Sequence, residues 1–445
     1  MKLKKIYSGA IAHIKVIFRA LKYRNYRLFF MGQTISLTGT WMQQVAIGWL
    51  VYRLTDSPFL LGVVGFVGQI PTFLVSPLAG VFADRHDRKK MLLITQILAM
   101  IQASIMAWLI LTKNIQIWHI LVLSAVLGII NCFDLPIRQA FTVEMVENRD
   151  DLGNAIALNS SMVNAARLIG PSIAGVLIAT VGEGICFLLN ALSYIPVILS
   201  LLAMTIAVNK IKPQSRHILL ELKEGISYAF NFSPIKSILL LLALVSLMGV
   251  PYQILMPVFA KDIFHGGPRV LGFLISMSGI GALIGALYLA ARKSVLGLGR
   301  IIAITACLFG VTIIAFSLSR ILWISMFILL LSGFGMMVQM ASSNTVLQTI
   351  VDEDKRGRIM SFYTMSFMGM APFGSLLAGS LASKIGAPHT LLAGGVICII
   401  GAFMFASKLP SIREKIHPIY AKKGIIPEVA KGIQSATGLE SLAKY

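Results

Sequence analysis

Apolar stretches of about 20 residues recur along the whole of this chain, divided by short polar breaks, and each is long enough to cross a bilayer as a helix. No other feature restricts the fold so tightly. In hydrocarbon every backbone N–H and C=O must be satisfied within the protein, which leaves helices or a closed barrel as spanning structures. Twelve such runs can be counted, near residues 27–52, 58–83, 91–112, 118–140, 155–180, 185–208, 235–258, 268–291, 301–319, 321–347, 359–383 and 388–408. Composition agrees, with 57% apolar and 13% charged residues against about 45–50% and 25% in soluble domains. A soluble globule is excluded. The expected fold class is an all-α polytopic membrane protein with twelve transmembrane helices.

A net charge of +21 would suggest nucleic acid as a partner, but its distribution argues otherwise. With both termini placed in the cytoplasm, only Arg53, Lys113, Lys261, Arg269, Arg320 and Lys384 fall on the outer side, and Arg167 lies within a span. All other lysines and arginines fall on the inner side. This is the positive-inside pattern of a multi-pass membrane protein with both termini in the cytoplasm and the lipid bilayer as its partner. No nucleic acid is needed. The first twenty residues hold too many cations for a cleavable signal peptide. Their Tyr7, Ile11, Ile14, Phe18 and Leu21 share one helical face, which predicts an interfacial helix over 1–25. Cys132, Cys186, Cys307 and Cys398 fall inside spans and read as buried free thiols. Neither a metal site nor a cofactor site is expected.

The longest polar break, 209–234, divides the chain into six spans (26–208) and six more (235–408), followed by a basic cytoplasmic tail over 409–445. Within the break, Leu219, Leu222, Ile226 and Phe230 recur at helical spacing, so the linker is expected to carry an amphipathic helix. The halves also repeat each other. One shift brings Asp150 onto Asp354, Gly153 onto Gly357, Gly170 onto Gly374 and Ala174-Gly175 onto Ala378-Gly379. A second brings Pro58 onto Pro268 and Leu61-Gly62 onto Leu271-Gly272. Two parallel six-helix pseudo-repeats around a central site are a recurring transporter plan.

Several polar motifs interrupt this apolar background. Gly80-Val81-Phe82-Ala83-Asp84-Arg85-His86-Asp87-Arg88-Lys89-Lys90 crowds cations between two spans. Arg24-Asn25-Tyr26-Arg27-Leu28-Phe29 and Gly39-Thr40-Trp41-Met42-Gln43-Gln44 flank and occupy the first span. Asp134-Leu135-Pro136-Ile137-Arg138-Gln139-Ala140 lies in the fourth. Asn154 to Ser160, Arg167-Leu168-Ile169-Gly170-Pro171 and Arg356-Gly357-Arg358 complete the set. In this order and at these spacings the chain resembles the major facilitator superfamily over nearly its whole length. Within it, the chain is similar to the bacterial branch of enterobactin exporters, macrolide efflux proteins and transmembrane secretion effectors. The resemblance implies the major facilitator fold and alternating access. It also implies that Gly80, Asp84, Arg85, Arg88 and Lys89 form a latch, with Asp84 facing the amino end of the eleventh span. Where the family usually has glycine, this chain has Asp87, a competing anion.

Gly170-Pro171-Ser172-Ile173-Ala174-Gly175 resembles the antiporter signature of drug/proton exchangers, with alanine replacing two of its glycines. That signature is thought to seal and hinge the interface between halves. Arg167, in the same span, costs about 2.5–3.5 kcal/mol on insertion scales unless paired or hydrated. Either a helix-end carbonyl, Asp134 or substrate could satisfy it. Asp134 is the one acid well inside an apolar run, and two readings stand side by side. Burial favours the uncharged carboxyl that a proton carrier needs, while Arg138, one turn away, favours an ion pair.

Gln33, Ser36, Thr40 and Gln44 stripe one face of the first span beside Trp41. The fold implied by the resemblance adds Asn131, Gln253, Gln339 and Asn344 to the cavity lining. Such a lining is polar and uncharged, which suits an amphipathic organic molecule. The expected function is export of a drug- or siderophore-like compound, with protons as the implied counter-substrate and a monomer as the working unit. A lysophospholipid flippase is the alternative. A membrane enzyme is disfavoured, because no catalytic pair or cluster of residues lies at one membrane depth.

Overall fold

The computed structural model describes residues 18–205, 227–292 and 294–425, apart from the side chains of 76–85, 149 and 354. All regular structure among these residues is helical. Ten long helices are α1 (Arg24–Thr55), α2 (Pro58–Arg85), α3 (Arg88–Leu111), α4 (Ile117–Glu144), α5 (Leu152–Val181), α6 (Glu183–Ala203), α9 (Pro268–Ala290), α10 (Leu298–Leu318), α11 (Leu322–Ile350) and α14 (Ala387–Ser407). Two further spans are broken. One consists of α7 (Ser233–Met248) and α8 (Tyr252–Val258), the latter running into a π turn, and the other of α12 (Glu353–Phe367) and α13 (Ala371–Ile385).

Eleven of these spans are long and apolar enough to cross a membrane. The span outside this set is α1, 32 residues long but diluted by its Gln, Thr and Ser stripe. The breaks have a local cause that the apolar pattern did not announce. Gly249 and Pro251 sit between α7 and α8, and Gly369 precedes Pro372 at the second break. Proline removes the N–H that a continuing helix would use, and glycine next to it gives up the ladder at little steric cost.

Short polar turns set the helix ends. Ser57 accepts a hydrogen bond from Leu60 N, with Pro58 at the first helical position of α2. Asp87 does the same for α3, accepting from Lys90 N at 3.2 Å. The departure from glycine at this position is therefore a helix cap. Gly182 and Gly386 both take φ +85, closing α5 and α13 with the same turn in the two repeats.

The helices fall into two compact units. In the first, α1 packs against α5 and α6, α2 against α4, and α3 against α4 and α6. Segments Gln253–Gly279 and Ser375–Ser383 of the second half belong to this unit. Its interior holds an interhelical polar chain, in which Asn190 donates to Gln43 Oε1 and Gln43 Nε2 donates to Gln102 Oε1 at 3.2 Å. Each such bond contributes about 0.6 kcal/mol in a membrane interior. In the second unit α10 packs against α11 and α14, and α7 against α12 and α14. A short amphipathic helix, α15 (Leu409–Lys422), begins the basic tail with Ile412, Ile416 and Tyr420 buried. The expected helices over 1–25 and within 209–234 lie largely outside the described residues; residues 19–22 form one 3-10 turn.

Candidate functional site

The first unit carries most of the candidate residues. On α4, Asp134 is 2% exposed and forms an ion pair with Arg138 one turn later. Its Oδ1 accepts from Thr95 Oγ1 at 2.9 Å and from Gln96 Nε2 at 2.6 Å, both on α3. The carboxylate thus has partners on two helices. Four residues cooperate where the sequence singled out two. Thr95 and Gln96 were not foreseen, because a polar residue in an apolar span declares no partner until the neighbouring helix is placed.

The loop between α2 and α3 is seen in part. Arg88 Nη1 meets Glu144 Oε1 at 2.7 Å, joining the start of α3 to the end of α4. Lys89 Nζ donates to Met204 O at 2.6 Å, beyond the end of α6. Both residues tie the loop to its own half. Gly80, Asp84 and Arg85 belong to the last turns of α2, and their side chains lie outside the described residues.

The candidates on α5 meet those on α1. The Arg167 guanidinium lies 5.5 Å from the centroid of the Trp41 ring, a cation–π geometry. A Cβ added at Gly170 would fall 2.6 Å from Trp41 Cβ and 2.9 Å from Thr38 O. Glycine is required there because α5 crosses α1 at backbone distance, and Pro171 is buried beside it. Asp134 engages Arg138 on its own helix, while Arg167 lies over Trp41.

Gly175, one turn and a half further along, faces α9. A Cβ there would lie 2.8 Å from Pro268 O and 3.0 Å from Gly272 Cα. The reciprocal position, Gly272, would meet Pro171 O at 2.6 Å. The second pair repeats this geometry: a Cβ at Gly62 on α2 would lie 2.6 Å from Ser375 O, and one at Gly379 on α13 would lie 2.7 Å from Pro58 O. Four glycines thus bring α5 onto α9 and α2 onto α13. They are the residues that the two internal repeats align in pairs. That alignment is the signal the sequence carries for these contacts, though it does not say which glycines meet.

Polar pairs surround the same end of the unit. Tyr52 donates to Asp262, and Lys261 pairs with Asp56. Ser172 and Ser276 share a hydrogen bond of 2.7 Å. Arg53 Nε lies 2.6 Å from Glu183 Oε1. None of Tyr52, Asp56, Glu183 or Asp262 was marked by the sequence, since each lies at a helix end or in a loop, where charges are ordinary.

The cavity candidates divide by exposure. Gln33 (2%), Ser36 (1%) and Gln339 (1%) are buried in helix packing. Gln44 and Asn131 are exposed, whereas Thr40, Trp41, Gln253 and Asn344 are partly buried. Gln348 Nε2 donates to Asn344 Oδ1 along one face of α11.

With this geometry in hand, known proteins offer close parallels. A family model described as transmembrane secretion effector matches residues 17–439. The staphyloferrin A transporter of Staphylococcus aureus is 27% identical over 385 residues, covering 86% of this chain and 96% of its own. Macrolide efflux protein A of Streptococcus pyogenes is 25% identical over 397 residues, covering 85% and 96%. Among solved structures, a bacterial homologue of the human lysosomal transporter Spinster superposes with a TM-score of 0.70, at 14% identity over 88% of this chain and 98% of that one. At that identity the likeness speaks to the fold, which is that of these transporters.

Proposed function

The chain belongs to the transmembrane secretion effector family of the major facilitator superfamily, and from that premise we propose that it exports an amphipathic organic compound of siderophore or drug class across the bacterial inner membrane, in exchange for protons. It is a membrane transporter and not an enzyme. The observation that carries the reading is the paired glycine crossing. Two helical segments from the second half lie backbone to backbone against α2 and α5 at one end of the first unit, beside Tyr52–Asp262 and Lys261–Asp56. Small-residue crossings make a tight seal without long interlocking side chains, so the same surfaces can part and re-form. This end is the outer one on the positive-inside orientation, and alternating access requires it to open and close.

Proton coupling is assigned to Asp134. Protonation discharges one side of a buried ion pair and frees Arg138, a change of several kcal/mol where charges are desolvated. An energy of that size is enough to bias a two-state equilibrium. The similarity to a staphyloferrin A transporter and to a macrolide efflux protein supports the substrate class. The decisive experiment is a deletion strain profiled for extracellular metabolites under iron limitation and for drug tolerance. Loss of a secreted chelator, or a gain in drug sensitivity, is expected; the absence of both would refute the export reading. In inverted vesicles Asp134→Asn should abolish uphill transport and leave substrate binding. Full proton-linked transport in that variant would remove Asp134 from the coupling role.

A further inference from the structure

In each half, the segment leading into the first helix folds back on the start of the fifth span. In the first half this contact is a closed ionic knot. Asp151, with its side chain 3% exposed, pairs with Arg19 and with Lys22 Nζ at 2.7 Å. Tyr23 OH donates to the same carboxylate at 2.7 Å, and Ala20 N donates to Asn154 Oδ1 at 2.9 Å. The repeat that brings Asp150 onto Asp354 brings Asp151 onto Lys355 and Asn154 onto Arg358. At these two positions, then, the anion has been replaced by a cation and a second cation has been added, with Asp352 Oδ2 4.0 Å from Lys355 Nζ on the same turn. The opposing segment, 227–232, reads Ser-Tyr-Ala-Phe-Asn-Phe and supplies no acid.

Where the first half closes, the second keeps a cavity of about 560 Å³, lined by Ser227, Tyr228, Asn231, Phe232, Lys355 and Arg358 among others. Lys355 Nζ lies 4.5 Å from the centroid of the Tyr228 ring, and Asn231 Nδ2 donates to Ser227 Oγ at 3.1 Å. The lining offers an ammonium, a guanidinium fork, two hydroxyls and an amide around one space. Such a donor set matches a phosphate oxyanion. The volume falls within the roughly 300–1,000 Å³ of small-molecule sites. The cavity also lies where α7 and α12 begin, at headgroup depth for spanning helices, on the face proposed above as cytoplasmic. Aromatic and basic side chains at that depth engage anionic lipid.

We propose that this cavity binds a phosphate oxyanion, carried by the headgroup of an anionic phospholipid or free in the cytoplasm, which takes the place that Asp151 fills in the first half. Its occupancy can be tested without knowing the transported compound.

The test uses the purified full chain in detergent and follows its melting temperature against phosphatidylglycerol, phosphatidylcholine and inorganic phosphate. A rise with phosphatidylglycerol that phosphatidylcholine does not give is expected. It should be lost in Lys355→Gln/Arg358→Gln and kept in Lys408→Gln/Lys415→Gln, which removes the same charge from the exposed face of α15 and its approach. A response to inorganic phosphate that is lost in the same variant would assign the soluble source, and a response to phosphatidylglycerol alone the lipid source. Asn231→Asp places an acid in the segment that faces Lys355 and Arg358. It should raise the melting temperature of the lipid-free protein and blunt the response to phosphate groups, a readout that does not depend on the cavity variant folding. The proposal is overturned by the absence of any response, by equal loss in both double variants, or by an unchanged response in Asn231→Asp.

Discussion

Asp134 has its two carboxylate oxygens engaged by different elements, one by Arg138 on its own helix and one by Thr95 and Gln96 on α3. Its chemistry is therefore a property of a helix pair. Removing its charge strands Arg138, whose side chain is 20% exposed, beside an uncharged amide. Breaking a buried pair in this way costs about 3–5 kcal/mol, whereas removing both members costs far less. Unfolding measured in detergent should accordingly show Asp134→Asn as the more damaging change and Asp134→Asn/Arg138→Gln as the milder one. Equal losses would mean that the hydrogen bonds from α3, and not the ion pair, hold the site. The sequence marked Asp134 and Arg138 because an acid in an apolar run is conspicuous. It was silent on Thr95 and Gln96 because hydroxyls and amides in spans are common and gain their meaning only from what faces them.

At the scale of elements, the glycine crossings and the terminal knot make opposite use of side chains. The crossings depend on having none. In Gly175→Ala the methyl would press on Pro268 O at 2.8 Å, and the helices must part to admit it. The expected outcome is faster reaction of Ser172→Cys with an impermeant maleimide in intact cells, by about tenfold if closure loses some 1.4 kcal/mol. An unchanged rate would show that α5 and α9 do not form the seal.

The knot depends on charge. Lys22 and Tyr23, with Arg19, hold the Asp151 carboxyl below its usual range, and the same carboxylate raises the Lys22 ammonium above its own. A depressed acid contributes stability above its unfolded value, about pH 3.9, and loses it as pH falls through the lower folded value. A raised lysine contributes fully below about pH 10.4 and loses that contribution on titration above it. The destabilisation caused by Asp151→Asn should therefore be constant between roughly pH 5 and 9 and shrink below about pH 4. Melting curves at pH 7 and pH 3 test this. A difference that persisted at pH 3 would assign the effect to packing.

For the molecule as a whole, orientation is the property on which every mechanism here depends. Maleimide labelling in a background without native cysteines should find His86→Cys, between α2 and α3, reactive only in inverted vesicles. Asn114→Cys, between α3 and α4, should react in intact cells. The reverse pattern would place the outer seal on the inside and turn the direction of transport around. The repeat has a whole-molecule consequence as well. It copies the closing turns at Gly182 and Gly386 and the four crossing glycines, yet exchanges the charge between Asp151 and Lys355. Geometry was retained where two backbones must touch, and chemistry diverged where a side chain faces an open space.

The sequence by itself determined that this chain is a bundle of membrane helices and that one half repeats the other, and the placement of its cations predicts which way those helices run. These follow from length, apolarity and the placement of cations, all of which act locally against a uniform solvent, the bilayer. Tertiary structure decided which polar groups meet: that Asp134 answers to Arg138 and α3, that Arg167 lies over Trp41, and that Asp87 caps a helix. It also decided that two of the apolar runs are broken helices, and that Gly62 and Gly175 press against the backbones of α13 and α9. An apolar run carries no address for its neighbour. Partner choice inside a membrane rests on shape and on a few hydrogen bonds between residues far apart in the chain, and these exist only once the helices are packed.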